Sequence, residues 1–269
     1  MYGPTPELSP EGIKLHRPED FAGMRAAGRI AAEVLDVVAP AVVPGVSTEE
    51  LDAMVEAEVL ARGATSATIG YRGYRHASCI SVNHVVCHGI PGPKRLREGD
   101  ILNIDVTVIF EGWFGDTSRM FAAGPLGRRA ERLIEVTHEA LMRGIAAVKP
   151  GGAFGDIGAA IQEYVEAERC SVVRDFCGHG LGRAFHEAPN VLHFGRRGAG
   201  AVLRPGMFFT IEPMVNLGRA ETKTLADGWT AVTRDKSLSA QFEHSVGVTE
   251  DGVEIFTLSP AGKFHPTWS

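Results

Sequence analysis

The chain has 269 residues, 44% hydrophobic and 22% charged, enough for one large domain or two small ones around a sizeable core. Its formal net charge of −6 lacks the basic footprint that non-specific nucleic-acid binding requires. The most apolar run, IAAEVLDVVAPAVV at 30–43, is broken by Glu33, Asp36 and Pro40, so no membrane span is expected.

In chain order, the opening MYGPTPELSPEG has neither the basic start nor the apolar stretch of a signal peptide, and its composition predicts a short mobile tail. Residues 18–39 follow a helical pattern that opens on Pro18, a residue suited to a first turn. The segment STEELDAMVEAEVLARG predicts a second helix, with Ser47 and Glu50 in capping-box spacing and Gly63 as its stop. Four β-rich runs follow, CISVN, VVCHGI, DILNIDVTVIF and GDTSRMF, then a long helix at about 127–148 and a shorter one, FGDIGAAIQEYVEAE. Strand-like runs return from VLRPGMFFTIEPMVN to EIFTLS. Cys79, Cys87, Cys170 and Cys177 form no C-x-x-C pair, which predicts free thiols and a reducing, cytoplasmic compartment.

The order of elements is written twice. VVPGVSTEELDAMVEAEV at 42–59 parallels VKPGGAFGDIGAAIQEYV at 148–165, and LREGDILNID at 96–105 parallels LRPGMFFTIE at 203–212. CHGI at 87–90 and GHGL at 178–181 stand at comparable places between these landmarks. Helix-then-strands repeated in this way predicts two pseudo-equivalent α/β halves sharing one sheet, with their acidic residues meeting at a central cleft.

Those acids lie in unusual places. Asp105 and Asp116 sit inside apolar strands, where a lone carboxylate is costly to desolvate. If the hairpin turns between Phe110 and Glu111, the two are directly opposite, with Cβ atoms roughly 4.5–5.5 Å apart. Like charges that close require a shared proton or a cation between them. Taken alone, Asp116 in FGDTS reads as a solvated turn residue; beside Asp105 in NIDVTV that reading weakens. Glu212 in FFTIEPMV and Glu243 in QFEHSV repeat the pattern, and His179 lies between glycines that permit close backbone approach. Four carboxylates carry four negative charges; one divalent ion leaves half uncompensated, and two balance the set. Such an oxygen-dominated set suits manganese, iron or cobalt in paired sites about 3.5–4 Å apart, the arrangement used for hydrolysis.

YRGYRHASCISVNHVVCHGIP, NIDVTVIFEGWFGDTSRMF, CGHGLGRAFHEAPNVLH, TIEPMV and DGWTAVTRDKSLSAQFEHSV, in this order from about Pro18 to Leu258, resemble type I methionine aminopeptidase of the bacterial kind. The resemblance implies a pita-bread fold, α/β with a curved, mainly antiparallel sheet covered by helices. It implies one catalytic domain over 18–269 behind a short extension at 1–17. It makes Asp105, Asp116, His179, Glu212 and Glu243 the ligands of two divalent ions (cobalt, manganese, iron, zinc or nickel). Asp116 and Glu243 would bridge both ions, Asp105 would chelate one, and His179 with Glu212 would complete the other. His88 and His186 match substrate-facing histidines, and Tyr71, Tyr74, Cys79, Phe185 and Trp229 match a methionine pocket. Asn83, Val85 and Ser239 match a loop site for a monovalent cation, sodium or potassium.

Other readings compete less well. His84 and His88, four apart in a strand-like segment, would lie roughly 13 Å apart and form no chelating pair, so His84 reads as a turn residue. His193 reads as structural, and the packing alternative for Trp229 is set aside only by the resemblance. GHGLG opens no helix, HEAPN lacks the second histidine of H-E-x-x-H, and no G-x-S-x-G elbow exists. The expected function is removal of the initiator methionine from nascent chains with a small second residue, by a monomer. Glu212 would carry the proton, His186 would assist the oxyanion and His88 would meet the scissile nitrogen. Nascent N-termini are the implied partner and the ribosome a further candidate, with neither nucleic acid nor membrane. The alternatives are an X-Pro or dipeptide metallopeptidase of the same fold and a non-catalytic pita-bread binding protein.

Overall fold

The computed structural model describes residues 7–263. Four helices carry the outer layer: α1 (Asp20–Val38), α2 (Thr48–Ala61), α3 (Arg128–Ala146) and α4 (Phe154–Ala167). The first half of the chain contributes strands β1 (Glu7–Leu8), β2 (Lys14–Leu15), β3 (Thr65–Ser66), β4 (Cys79–Val82), β5 (Val85–Cys87), β6 (Asp100–Phe110) and β7 (Trp113–Ala123). The second contributes β8 (Ser171–Val172), β9 (Gly178–Gly180), β10 (Glu187–Val191), β11 (Phe208–Ile211), β12 (Met214–Asn216), β13 (Thr222–Thr224), β14 (Ala231–Thr233), β15 (Ser239–Gln241), β16 (Glu243–Val248) and β17 (Val253–Ile255).

The antiparallel main sheet runs β10-β9-β11-β16-β7-β6-β3, with β17 paired to β16 and β4 to β6. Its centre is the β16–β7 pairing, Glu243 opposite Ser118 and His244 opposite Thr117, which joins the two halves. Each half buries its own core. Met24, Leu35, Leu51 and Val55 of α1 and α2 pack on Leu102 and Ile104 of β6. Leu133, Leu141, Ile157 and Ile161 of α3 and α4 pack on Phe209 and Val246. One apolar face per helix against an apolar sheet face is the usual two-layer solution.

The duplication is visible in detail. α1 and α3 each have 19 residues, and α2 and α4 each have 14. The residue before α2 bridges Arg95, and the residue before α4 bridges Val202. The third sequence landmark does not hold. Cys87 ends β5, which pairs with β14 in a separate small sheet, whereas His179 lies in β9, paired with β10 and β11. The strand that stands on β6 as β9 stands on β11 is β4, so the shared H-G dipeptide marks unrelated positions.

Two expectations near the N-terminus also change. α1 begins at Asp20 with Glu19 as its N-cap, so Pro18 precedes the first turn rather than occupying it. The described part of the opening segment is no free tail: Ile13 is 3% exposed in the second core, and the His16 N–H donates to the Gly206 carbonyl at 2.8 Å. One apolar side chain among polar neighbours is enough to dock a short strand pair. The capping box of α2 forms as expected: Ser47 accepts from the Glu50 N–H while Glu50 accepts from the Ser47 N–H.

Candidate metal centre and substrate cleft

The β6–β7 hairpin turns at Glu111 and Gly112, both left-handed (φ 50° and 78°), the backbone a two-residue hairpin turn needs. Phe110 and Trp113 close it, so Asp105 faces Ser118 and Asp116 faces Thr107. Asp105 and Asp116 are therefore diagonal neighbours, not directly opposite partners. The turn lies one residue later than the sequence reading placed it, which moves the register by two. Because side chains alternate with period two, both carboxylates stay on one face of the sheet.

Across the central seam, β16 brings Glu243, β9 brings His179, and the end of β11 brings Glu212 to the same place. Asp116, His179 and Glu243 each offer a donor atom, all within 4.8 Å of one another. His179 Nε2 lies 3.5 Å from Asp116 Oδ2 and 3.8 Å from Glu212 Oε1. All five side chains, with Asp105, line a single cavity of about 570 Å³.

Burial first, then the Asp116 and Glu212 charges, hold Asp105 well above the usual carboxylate range. Burial likewise raises Glu243, with Asp116 adding to it. Burial pushes Glu212 up to about 7, although the His179 ring pulls it down. Burial opposes protonation of His179, but the hydrogen bond to Asp116 and the charge of Glu212 outweigh it and raise its pKa. Carboxylates raised together in this way are short of positive charge, which a divalent cation would supply.

The cavity wall holds the residues expected to face the substrate. His186 sits with its ring 4.1 Å from that of His179 and stacks on Tyr71 at 5.3 Å. Burial, aided by the His179 charge, lowers its pKa to about 4, so it is a neutral donor near pH 7. His88, half-buried and at φ 56°, stands edge-on to Phe176 and Trp229. Tyr74 tilts against Trp229 at 4.9 Å, and Tyr71 and Phe185 at 4.9 Å. With Cys79 these rings form an apolar recess beside the carboxylates.

Asn83, Val85 and Ser239 lie outside the cavity. The Ser239 N–H donates to the Asn83 carbonyl at 2.9 Å, and Ser239 Oγ is buried without a partner. His84 occupies the turn between β4 and β5, as expected. His193 is fully buried, and its Nε2 accepts from the Glu212 N–H at 3.0 Å, so the residue read as structural fixes a candidate ligand.

Several supporting residues escaped the sequence reading. Thr107 donates to Asp116 Oδ1 at 2.7 Å, and Thr210 donates to Glu212 Oε1 at 2.9 Å. Gln241 reaches Glu212 Oε2 at 3.3 Å. Only Thr210 stands two residues from the acid it serves; Thr107 and Gln241 serve Asp116 and Glu212, which only the folded strands bring to them. Asp52 of α2 left no local signal. It accepts from the Ser78 N–H and Oγ at 2.8 and 2.7 Å and pairs with His76 at 3.1 Å, while the Tyr74 hydroxyl donates to the Ser78 carbonyl.

The sequence profile described as Metallopeptidase family M24 matches residues 22–250. The chain belongs to metallopeptidase family M24. It is 53% identical over 257 residues to the methionine aminopeptidase of Rickettsia prowazekii, covering 95% of this chain and 99% of that protein. It is 55% identical over 248 residues to the methionine aminopeptidase of Escherichia coli K12, covering 91% and 94%. The crystal structure of the Rickettsia prowazekii enzyme superposes with a TM-score of 0.91 at 54% identity, covering 91% of this chain and 100% of that one. This M24 peptidase therefore has the pita-bread fold, as its two-half curled sheet already indicated. The family implies a divalent metal, and the donor set fits one: three ligand atoms within reach of one ion, with surrounding carboxylates short of positive charge. Among the described residues, no helix is long and apolar enough to cross a membrane.

Proposed function

We propose that this M24 peptidase is a methionine aminopeptidase that releases the initiator methionine from chains with a small second residue. The observation that carries the reading is the juxtaposition of the donor cluster with the apolar recess of Tyr74, Cys79 and Trp229 in one cavity. The names of the relatives that share more than half of its sequence support it.

In this reading Asp105, Asp116, His179, Glu212 and Glu243 hold two divalent ions, which when bound supply Lewis acidity and lower the pKa of water. The flexible thioether of the substrate enters the recess, where aromatic and sulfur-bearing walls suit it. Glu212 carries the proton, as a carboxylate held against the site where the water would be activated. His186, neutral and fixed by Tyr71, donates an N–H to the carbonyl oxygen as negative charge grows there. His88, held by Phe176 and Trp229, faces the scissile nitrogen. Thr107, Thr210 and His193 keep the carboxylates oriented.

Asn83, Val85 and Ser239 would take a sodium or potassium ion, a role supported by the buried, unpartnered Ser239 hydroxyl. The physiological substrates would be nascent polypeptide N-termini, met in the cytoplasm and at the ribosome, and processed by a monomeric enzyme with one catalytic domain at 18–269. The test is release of methionine from Met-Ala-Ser by metal-stripped protein given manganese, cobalt, iron, zinc or nickel in turn. No release with any of them overturns the reading.

A further inference from the structure

Arg72 is the only lysine or arginine among the residues lining the cavity. It stands at the rim, exposed, in a tight loop closed by the Gly70 N–H on the Tyr74 carbonyl and the Tyr74 N–H on the Tyr71 carbonyl. Its own backbone is left-handed (φ 47°), between Gly70 and Gly73 at 87° and 83°. For a long side chain that conformation is uncommon and must be enforced by its surroundings. Its guanidinium lies 5.3 Å over the Tyr71 ring, which in turn stacks on His186. One ring therefore separates the cation from the histidine assigned to the scissile carbonyl.

Among the described residues, no carboxylate pairs with Arg72. The acid on the nearby wall, Glu187, is taken by Lys14 of β2. A guanidinium held over an aromatic ring with its fork of donors unused is ready to donate to a carboxylate. The direction of the substrate decides which one. Its amine and first side chain end at the carboxylate floor and the apolar recess, so the chain beyond the second residue must leave past the open rim, where Arg72 stands.

We propose that Arg72 forms a carboxylate subsite that favours substrates with a negative charge just after the second residue. The proposal rests on the aminopeptidase reading above. The charge can come from an acidic third side chain or from the free terminus of a tripeptide, and the two sources are separable. The substrates are Met-Ala-Asp-amide, Met-Ala-Ser with a free carboxylate, and Met-Ala-Ser-amide as the neutral reference. For an exposed pair we expect kcat/KM about two- to five-fold above the reference for whichever charged substrate reaches the arginine. The advantage should lie in KM and vanish in roughly 1 M NaCl, where the screening length is about 3 Å.

Arg72→Asn, which tolerates the left-handed backbone, should bring the ratio to one; Arg72→Glu should bring it below one, and Arg72→Lys should restore most of it. Taking ratios cancels any change that a variant imposes on all substrates alike. Equal rates for charged and neutral substrates in the wild type overturn the subsite and leave the aminopeptidase reading intact, as does a ratio that Arg72→Asn does not alter. A protein that hydrolyses none of these peptides overturns both.

Discussion

Replacing Glu212 by glutamine should stabilise the metal-free protein at alkaline pH while abolishing its use as a peptidase. Burial holds Glu212 at about 7, against 4.5 for an ordinary glutamate, and the unfolded chain restores the ordinary value. The sign follows from linkage: an acid raised in the fold costs nothing below 4.5, and its penalty grows as pH rises to 7 and is complete above it. Each pH unit of that interval is worth about 1.4 kcal/mol, so ionised Glu212 lowers stability by roughly 3 kcal/mol at pH 8. The amide carries no charge and can still accept from Thr210. It can also donate to Gln241, whose Oε1 is buried without a partner. Urea unfolding in EDTA, followed by tryptophan fluorescence, should give equal stability near pH 4.5 and a variant more stable by roughly 2–3 kcal/mol at pH 8. Added manganese should reverse the order, because the wild type alone gains its full ligand set. A difference that stays flat with pH, or a variant less stable at pH 8 in EDTA, refutes the assignment of strain to this carboxyl.

Asp105→Asn should abolish hydrolysis of Met-Ala-Ser with every divalent metal supplied; rates like the wild type would remove Asp105 from the site. His186→Ala should keep its metal, measured by atomic emission, while losing a factor of roughly 10²–10³ in kcat through the missing oxyanion donor. Asp52→Ala leaves the buried Ser78 N–H without an acceptor and should cost about 1–3 kcal/mol of stability. Because Tyr74 hangs on the same loop, this variant should also discriminate less between methionyl and alanyl peptides, and an unchanged ratio would detach Asp52 from the recess.

Much of the site was legible because acids in apolar strands are conspicuous, and a period of two protects their facing from small errors. Misplacing the Glu111–Gly112 turn by one residue altered which residues oppose each other, yet left Asp105 and Asp116 on the same surface. The duplicated helices were legible for a similar reason: a V-x-P-G turn followed by an amphipathic run is a long pattern. The pairing of CHGI with GHGL failed because four residues cannot report which strand they lie beside. Thr107, Thr210 and Gln241 escaped because a single hydroxyl or amide in a strand looks neutral until its acceptor is placed. Asp52 escaped because its partners stand 24 and 26 residues further along, on a loop that only tertiary packing brings near.

The central β16–β7 seam also sets when the protein can work. Asp116 lies on one side of that seam and Glu243 on the other, and His179 comes from a strand synthesised between them. Helices α1 and α2 can settle on β6 and β7 early, but the candidate metal cluster closes only when the last of its strands docks. During its own synthesis the chain therefore carries an incomplete cage from Asp116 until Glu243 is made, and the cluster is completed in one late step with the docking of β16.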